Sequence, residues 1–293
     1  MVTPIAALAA FKLNTPVRLS LSLSDNMKIV GKRPEFLFAY SASLDGDNKV
    51  DRMAVDVVSD AGYSGANPEG AGCGSIIRDT MYLTNNPVET TTEDVMGNKP
   101  TTTPVRAPTT PQAYGVVETI MEHLAVTSGQ DPVDFRASNI KSQHPLPELI
   151  TQLKEQAGYD DRRIEIETYN SQNKWKKRGL GFTPIAYEHG VGKYLYSVQV
   201  AIYERDATIN VTHGGIEIGQ GVNTKVAQVV ARGLGLPDLS LIKVCAANTF
   251  VANNNNWTGG SQASDHCCYA AEKAVQELVD RMSEFTDESG NNI

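Results

Sequence analysis

The chain has 293 residues and a net charge of −8 at neutral pH, with 41% hydrophobic and 20% charged residues. These values are typical of a globular protein with a substantial core, and the acidic balance argues against a nucleic-acid-binding surface. No uninterrupted apolar run approaches the roughly 18 residues of a membrane span. Because no basic residue precedes the first apolar run, the N-terminus predicts a helix rather than a signal peptide, and we expect a cytoplasmic protein.

The first 60 residues predict one helix followed by antiparallel strands. Apolar residues cluster over 2–12, which favours a helix. Strict alternation from Val17 to Ser24 predicts a strand. The segments 36–44 and 49–62 predict two further strands, and Asp45-Gly46 between them is a hairpin signal.

Residues 62–112 have little periodicity and are rich in Gly, Thr and Pro. Three amphipathic helices are predicted after them: over 113–129, from the Asp131-Pro132 cap, and over 146–159. The charged stretch 160–179 predicts a surface helix. Because the pattern changes there, we expect two domains, 1–160 and 161–293.

The second half predicts alternating strands and helices. Strands are expected over 179–188, over 193–215 with a turn at Arg205-Asp206, and over 239–249; helices are expected over 224–237 and 266–282. The last residues, 285–293, predict a frayed end. The fold class is therefore α+β, with two lobes of mixed or antiparallel sheets flanked by helices, and no internal repeat is evident in the sequence.

The four cysteines do not predict a metal centre. No CxxC pair is present, and Cys267 and Cys268 are adjacent. Even with His266 before them, they lack the second cluster that a zinc or iron–sulfur site requires. We expect free, mostly buried thiols and no metal bound by side chains of this chain.

A glycine-rich loop, HGGIEIGQG, lies between a predicted strand and a predicted helix. Backbone N–H groups at a helix start can bind an anion, and glycines let the anion approach. The loop matches neither GxGxxG nor a P-loop, which disfavours an ordinary nucleotide site. The glycines could also serve only a tight turn. Gln220, placed between Gly219 and Gly221, favours a ligand because a carboxamide both donates and accepts hydrogen bonds.

Two further segments are candidates for binding. The loop from Trp257 to Ser264 repeats the pattern, with two glycines between hydroxyl residues before a helix. Together the two loops indicate a bulky polar ligand that carries a phosphate. Arg106 is a single charge in a Thr/Pro-rich loop before a helix, and either a ligand contact or a structural salt bridge would account for it.

Five segments, in order along the chain, resemble the molybdenum hydroxylases, the family of xanthine dehydrogenase and aldehyde oxidase. HGGIEIGQGVNTKVAQVVARGLGLP resembles the family pattern HGGTEMGQGxxTKxxQVxxxxLG(I/L)P. AALAAFKLNTPVRLSLSLSDNM, VRAPTTPQ, NKWKKRGL and TGGS are similar to ALAAYKTGxPVRxxLDRxEDM, FRGFGxPQ, NxWKKRGL and TAAS. The resemblance implies two parts of the molybdenum-cofactor (molybdopterin) binding domain.

The resemblance also implies roles for individual residues. Gln220, with Gly219 and Gly221, would contact the pyranopterin. The TAAS-like loop would hold the phosphate end of the cofactor, through Thr258, Gly259, Gly260, Ser261 and Ser264. Arg106 corresponds to the arginine of the FRGFG-like loop and would face the cofactor. Arg78 and Pro108 would face the substrate, with Pro108 standing where the family has a phenylalanine that stacks on aromatic substrates.

The family reaction is hydroxylation of an electron-poor carbon, with oxygen from water, in aldehydes, purines or other N-heterocycles. Arg-Ala-Pro at residues 106–108 is nearer to the aldehyde oxidase branches. The resemblance places the metal-facing GGxFGGKxTR loop before Met1 and the general-base glutamate beyond Ile293, so no catalytic residue is expected here and Glu217 is not that base. The 2Fe–2S clusters and FAD would lie outside this chain. An inactive piece of a homodimeric enzyme is expected; the alternative is a non-catalytic remnant or interaction module that keeps the fold without cofactor.

Overall fold

The computed structural model describes residues 2–187, 195–245 and 247–285. They form two compact units, Met1–Ile185 (unit 1) and Ala186–Ile293 (unit 2). The two cofactor-binding domains expected at 1–160 and 161–293 stay a prediction, since compactness does not test where each one begins or ends.

Unit 1 contains a three-stranded sheet with helices around it. Its elements are α1 (Val2–Leu13), α2 (Leu23–Ile29), β1 (Phe36–Leu44), β2 (Val50–Asp60), α3 (Gly70–Arg78), β3 (Glu89–Val95), α4 (Thr110–Ser128), α5 (Pro132–Asn139), α6 (Leu146–Ala157) and α7 (Tyr159–Gln172). Strand β2 lies in the centre, antiparallel to β1 and parallel to β3. One face of β2 is buried through Met53, Val55 and Val57, which is the period-2 pattern of a half-buried strand.

Most helices of unit 1 are where the sequence predicts them. The apolar stripe of α4 is buried through Val116, Val117, Ile120, Met121 and Leu124. Asp131 caps α5, because its carboxylate accepts the N–H groups of Val133 and Asp134. The hairpin of β1 and β2 is also confirmed.

One prediction in unit 1 is wrong, and two segments differ from the sequence analysis in extent or content. The alternating segment 17–24 is not a strand: α2 starts at Leu23, where the Ser22 hydroxyl accepts the Asp25 N–H. Alternation fails here because most of these side chains are exposed, so neither face is buried to hold a strand. The predicted helix over 160–179 ends at Gln172, and the aperiodic region 62–112 contains α3 and β3.

Unit 2 contains a second three-stranded sheet. Its elements are β4 (Val198–Ile202), β5 (Ile209–His213), α8 (Val222–Gly233), β6 (Ile242–Val244) and α9 (Ala263–Ser283). Strand β5 is antiparallel to β4 and parallel to β6, and α8 crosses between β5 and β6. The core is apolar and joins β5, α8 and α9 through Ile209, Val211, Val222, Val226, Val230, Cys267, Ala271 and Val275.

In unit 2 the predicted helices and the strands around the Arg205-Asp206 turn are confirmed, and the strand expected over 239–249 is shorter, as β6. The strand expected over 179–188 is wrong: residues 179–187 have no strand structure. Residues 188, 193, 194 and 286–293, which belong to predicted strands and to the predicted frayed end, lie outside the described residues.

Both units have the same order of elements. Each has two antiparallel strands, a crossover helix, a strand parallel to the second one, and a further helix that packs on the crossover helix. The mixture of small sheets and flanking helices confirms the α+β class. Among the residues described, no helix is long and apolar enough to traverse a lipid bilayer.

Candidate functional site

The two glycine loops of unit 2 lie in the connections that leave neighbouring parallel strands. One follows β5 and leads into α8; the other follows β6 and leads into α9. Parallel strands place such loops at one edge of the sheet, which is where α/β folds bind ligands. A direct bond joins the loops: the Ile216 N–H donates to Thr258 Oγ1 at 2.9 Å.

Glu217 closes the loop that precedes α8. Its Oε1 accepts the N–H groups of Gly219 and Gly221 at 2.9 and 3.0 Å, and its Oε2 accepts the Asn223 N–H at 3.2 Å. The backbone N–H groups of Gly221 and Asn223 hold the pKa of Glu217 below its usual value. The donors expected to bind an external anion are therefore occupied by this carboxylate. Gly219 and Gly221 have φ values of +99° and +77°, as the turn requires.

Gln220 bonds to its own loop. Its Oε1 accepts the Ile218 N–H at 2.7 Å, and its Nε2 donates to the Ile216 carbonyl at 2.8 Å. A carboxamide has two N–H donors and two acceptor lone pairs. One donor and one acceptor position remain after these two bonds, so Gln220 can hold the loop and also bind a polar ligand.

His213, at the start of the loop, is a buried structural residue. Its Nδ1 accepts the Gly215 N–H at 3.2 Å, and its Nε2 pairs with Asn223 Oδ1 at 2.9 Å. Burial lowers the pKa of His213, against the opposing effect of the Asn223 hydrogen bond. A neutral imidazole with both nitrogens in use fixes the turn at the end of β5.

The second loop packs closely on the first. The Asn255 side chain lies over Gly214, where a Cβ atom would be 1.9 Å from it, and its Oδ1 accepts the Ser197 N–H at 2.6 Å. Further along, Gly260 and Ser261 both have positive φ, +65° and +61°. These contacts require glycine at position 214 and fix how closely the two loops approach.

The hydroxyl residues of the second loop lie near the first turns of α8 and α9. Ser261 Oγ accepts the Tyr187 O–H at 3.2 Å, and Ser264 Oγ lies 3.5 Å from the Lys225 ammonium. Since Lys225 is in the first turns of α8 and Ser264 is in the first turn of α9, the two helix N-termini lie side by side.

The first turn of α9 has no counterpart of Glu217, which accepts N–H groups at the start of α8. Its N-cap residue, Gln262, makes no side-chain hydrogen bond to the turn, and Asp265 is the acid within it. Two helix N-termini and the Lys225 charge favour an anion here. The hydroxyls of Thr258, Ser261 and Ser264 add polar groups, so the residues present fit a large polar ligand with a phosphate.

In unit 1, Arg106 and Pro108 belong to the loop before α4. Arg33, which sequence reasoning missed, holds this loop: its guanidinium donates to the carbonyls of Ala107 at 3.0 Å and Arg106 at 2.6 Å. Ala107 and Thr109 have positive φ values, +54° and +62°, although neither is glycine. The Arg106 side chain is exposed and Pro108 is partly buried.

A buried carboxylate lies near this loop. Glu69, the N-cap residue of α3, is 5% exposed, and neither of its carboxylate oxygens makes a hydrogen bond of good geometry among the described residues, although the Thr109 N–H is close enough to lower its pKa. Burial raises the pKa of Glu69, and the positive charge of Arg33 opposes that rise. Its sequence context, NPEGAG, contains no motif that would have identified it.

The structure does not bring Arg78 together with Arg106 and Pro108. Arg78 is in the last turn of α3 and donates to the Thr90 hydroxyl on β3. Thr109 packs instead against Gly72, in the first turn of the same helix, roughly 9 Å away along its axis. Arg78 therefore lies at the other end of α3 from the loop.

The cysteines are free thiols. Cys73 and Cys267 are buried, and burial raises the pKa of Cys73 to about 12 and that of Cys267 to about 11. Within 2–187, 195–245 and 247–285, no group of three or more His, Cys, Asp or Glu side chains could hold a metal ion. Cys267 instead packs behind Gly215, where it supports the first glycine loop.

Comparison with known proteins gives two family matches. Residues 1–140 and residues 152–291 each match a family model described as a molybdopterin cofactor-binding domain. Over 98% of the chain, it is 29% identical to a xanthine dehydrogenase of Blastobotrys adeninivorans, and over 95% it is 31% identical to aldehyde oxidase 1 of Oryctolagus cuniculus. The chain spans 22% of the length of each of these relatives.

Solved structures share the fold. A Cu,Mo-CO dehydrogenase aligns with a TM-score of 0.77 and 20% identity, over 96% of this chain and 39% of that one. The aldehyde oxidoreductase from Desulfovibrio gigas aligns with a TM-score of 0.73 and 20% identity, over 98% of this chain and 32% of that one. At this identity the likeness establishes the fold alone.

Proposed function

The chain belongs to the molybdopterin cofactor-binding family of molybdenum hydroxylases, and from this premise we propose that the two glycine loops of unit 2 hold the pyranopterin of a molybdenum cofactor. The observation that carries the proposal is the Ile216–Thr258 bond, which joins the loops beside two adjacent helix N-termini. When bound, the cofactor supplies the redox and hydroxylation chemistry. The side chains of this chain bind and orient it.

We assign the polar end of the cofactor to the second loop. The first turn of α9 has no N-cap side-chain bond, whereas Glu217 already occupies the donors before α8. An anionic phosphate is attracted by Lys225 and repelled by both Asp265 and Glu217, but Glu217 also occupies the N–H donors of its own loop. Ser261 and Ser264 would therefore lie nearest the phosphate, and Thr258, Gly259 and Gly260 would line the rest of the cofactor site.

Gln220 would contact the pterin from the first loop. Its remaining N–H and lone pair suit the alternating donors and acceptors of a pterin edge. Its two bonds to Ile216 and Ile218 hold the carboxamide in place before a ligand arrives. Gly219 and Gly221 on either side carry no Cβ that would obstruct the approach.

For unit 1 we propose that Arg106, in the loop before α4, binds the cofactor and that Pro108, in the same loop, binds the substrate. The fixed backbone of this loop, held by Arg33, supports a binding role for the exposed Arg106. We keep Arg78 as a second substrate-binding candidate.

The reaction of the intact enzyme would be hydroxylation of aldehydes or N-heterocycles, purines included, with water as the oxygen source. The 2Fe–2S clusters and FAD would lie in other parts of a cytoplasmic homodimer, and this chain by itself would be inactive.

The first test measures cofactor content. The chain is co-expressed with cofactor-synthesis genes, molybdenum is measured by mass spectrometry, and pterin is measured by fluorescence after oxidation. We expect both at close to one per chain, and less of both in Gln220→Ala. Gln276→Ala is the matched control, because Gln276 is an exposed glutamine of α9 that bonds only locally to Asp280; its content should equal that of the wild type.

A non-catalytic remnant is the second candidate, and one observation favours it. The polar groups of the first loop already pair with one another, through Glu217 and Gln220, so this loop is stable without a ligand. Absence of molybdenum and pterin both from this chain and from the full product of its gene would establish the remnant and contradict cofactor binding.

A further inference from the structure

Trp257 and Gly259 occupy the same space in the second loop of unit 2. A Cβ atom built on Gly259 would lie 1.6 Å from Cζ3 and 2.1 Å from Cε3 of the Trp257 indole. No side chain fits at position 259 while the indole is there, because such separations are well inside van der Waals contact. The tryptophan ring can occupy this position only because residue 259 has no side chain.

The backbone of Trp257 is fixed on both sides. Its N–H donates to Asn256 Oδ1 at 2.8 Å, and its carbonyl accepts the Tyr196 O–H at 2.8 Å. The next residue, Thr258, forms the bond to Ile216 that joins the two loops. The indole therefore projects from the point where the two loops meet.

The indole is nevertheless 65% exposed. Tryptophan is usually among the more buried residues, and a fixed, exposed indole is a common element of recognition surfaces. The neighbouring loop exposes Ile216 and Ile218 as well, at 56% and 74%. The polar loops thus carry an apolar, aromatic surface at their junction.

This arrangement departs from the TAAS pattern that the loop resembles. Alanine in that pattern stands at the positions of Gly259 and Gly260, and an alanine methyl at 259 would collide with the indole. Glycine at position 259 is therefore compatible with this position of the Trp257 indole, whereas alanine is not. The pair is a feature of this chain that its likeness to the family does not account for.

We propose that the Trp257–Gly259 pair forms a stacking platform for a flat, nitrogen-containing heterocycle beside the cofactor loops. Such rings are electron-poor and stack well on the electron-rich face of an indole. The ring has two sources, the pterin of the cofactor or a free heterocyclic substrate. The first source rests on the proposed function; the second does not.

Fluorescence tests the platform directly, because the chain has only two tryptophans, Trp175 and Trp257. In Trp175→Phe, all tryptophan emission comes from Trp257. Cofactor-free chain is titrated with pterin, with purine, and with piperazine as a saturated ring. We expect saturable loss of most of the emission with the aromatic rings and none with piperazine. The converse variant, Trp257→Phe, reports Trp175 and should show no saturable loss.

The loaded chain separates the two sources. If the platform binds the pterin of the cofactor, Trp257 emission is low in loaded Trp175→Phe chain and rises when the cofactor is removed, and Trp257→Ala loses pterin about tenfold more readily. If it binds substrate, emission is high in the loaded chain and purine lowers it.

The proposal is overturned if neither aromatic ring acts differently from piperazine and loading leaves the emission unchanged. A chain that takes up no cofactor contradicts the proposed function, while the titration of free rings still decides the platform.

A double-mutant cycle tests the pairing without any ligand. Gly259→Ala should lower the melting temperature and shift Trp257 emission in the Trp175→Phe background, because the indole must move. The same change in Trp257→Ala should leave the melting temperature nearly unchanged. An equal loss of stability in both backgrounds would mean that Gly259 serves its own backbone and that the pair is not linked.

Discussion

The two units share one order of strands and helices. They differ in the charge of the side chain that holds the loop before a helix. In unit 2 an acid closes the loop before α8: Glu217 accepts three backbone N–H groups. In unit 1 a base holds the loop before α4: Arg33 donates to two backbone carbonyls. In the loop before α8, backbone N–H donors are therefore already bonded within the unit. In the loop before α4, backbone carbonyl acceptors are already bonded within the unit.

This difference shows that topology fixes where the loops lie, while local charge fixes what they can still bind. With its carbonyls occupied, the unit 1 loop presents the exposed Arg106 side chain. Because its N–H groups are occupied, the first loop of unit 2 offers a ligand only the remaining N–H donor and acceptor position of Gln220. The first turn of α9 has no N-cap side-chain bond, which is why the proposed function assigns the phosphate to it.

Replacing Arg33 should cause the largest loss of stability. Arg33→Ala leaves two carbonyls without their donor and Glu69 without a nearby positive charge, so we expect unit 1 to lose about 2 kcal/mol of unfolding free energy. Urea denaturation followed by pulsed hydrogen exchange of the β2 and α4 amides reports this unit. Arg52→Ala is the control, since its exposed salt bridge with Glu89 should contribute less than about 1 kcal/mol. Equal losses in the two variants would mean that Arg33 does not hold the loop.

Removing the acid should have a smaller effect, because Glu217 is exposed. Glu217→Ala frees three N–H groups to bond with water, and we expect a modest fall in the melting temperature of unit 2, followed by Trp257 emission in Trp175→Phe. Since the folded pKa of Glu217 is lowered, its stabilisation is present above its usual pKa and is lost as pH falls through the folded value. Glu217→Gln should abolish this acid-side loss; a variant with the same pH profile as wild type would contradict the role.

Glu69→Gln should have the smallest effect and the opposite dependence on pH. The folded pKa of Glu69 is raised, so wild-type unit 1 loses stability as pH rises from the usual glutamate range through the folded value. The glutamine variant should match wild type in acid and exceed it at neutral pH, in urea denaturation followed by pulsed hydrogen exchange of the β2 and α4 amides. A variant less stable than wild type at neutral pH would show that the charged carboxylate of Glu69 is needed in the fold.

Sequence reasoning located the elements whose signals are local. The stripe of α4, the Asp131 cap and the Asp45-Gly46 hairpin each depend on a few neighbouring residues. It missed β3, whose segment ETTTEDV has little apolar character, and α3, whose segment GAGCGSIIR is rich in glycine. Tertiary pairing with β2 and packing between β2 and α4 make these segments regular.

The candidate loops of unit 2 could be found from composition and resemblance, but their internal bonding could not. Glu217 can accept three backbone N–H groups only because the chain turns at Gly219 and Gly221. Arg33 contacts Arg106 across a separation of 73 residues in the sequence. The repeated topology was hidden for a similar reason. It lies in how the strands pair, and the two units do not share a recognisable sequence period.

The shortness of β6 has a consequence for kinetics. Only three residue pairs join it to β5, whereas five join β4 to β5. Segments with few backbone bonds open most often by local unfolding while the rest of the domain stays folded. We expect the Cys245 amide, bonded to the Val211 carbonyl, to exchange with deuterium well before the amides that join β4 and β5. Cys245 directly follows β6, so exchange at its amide reports how often this edge of the unit 2 sheet opens while β4 and β5 stay paired.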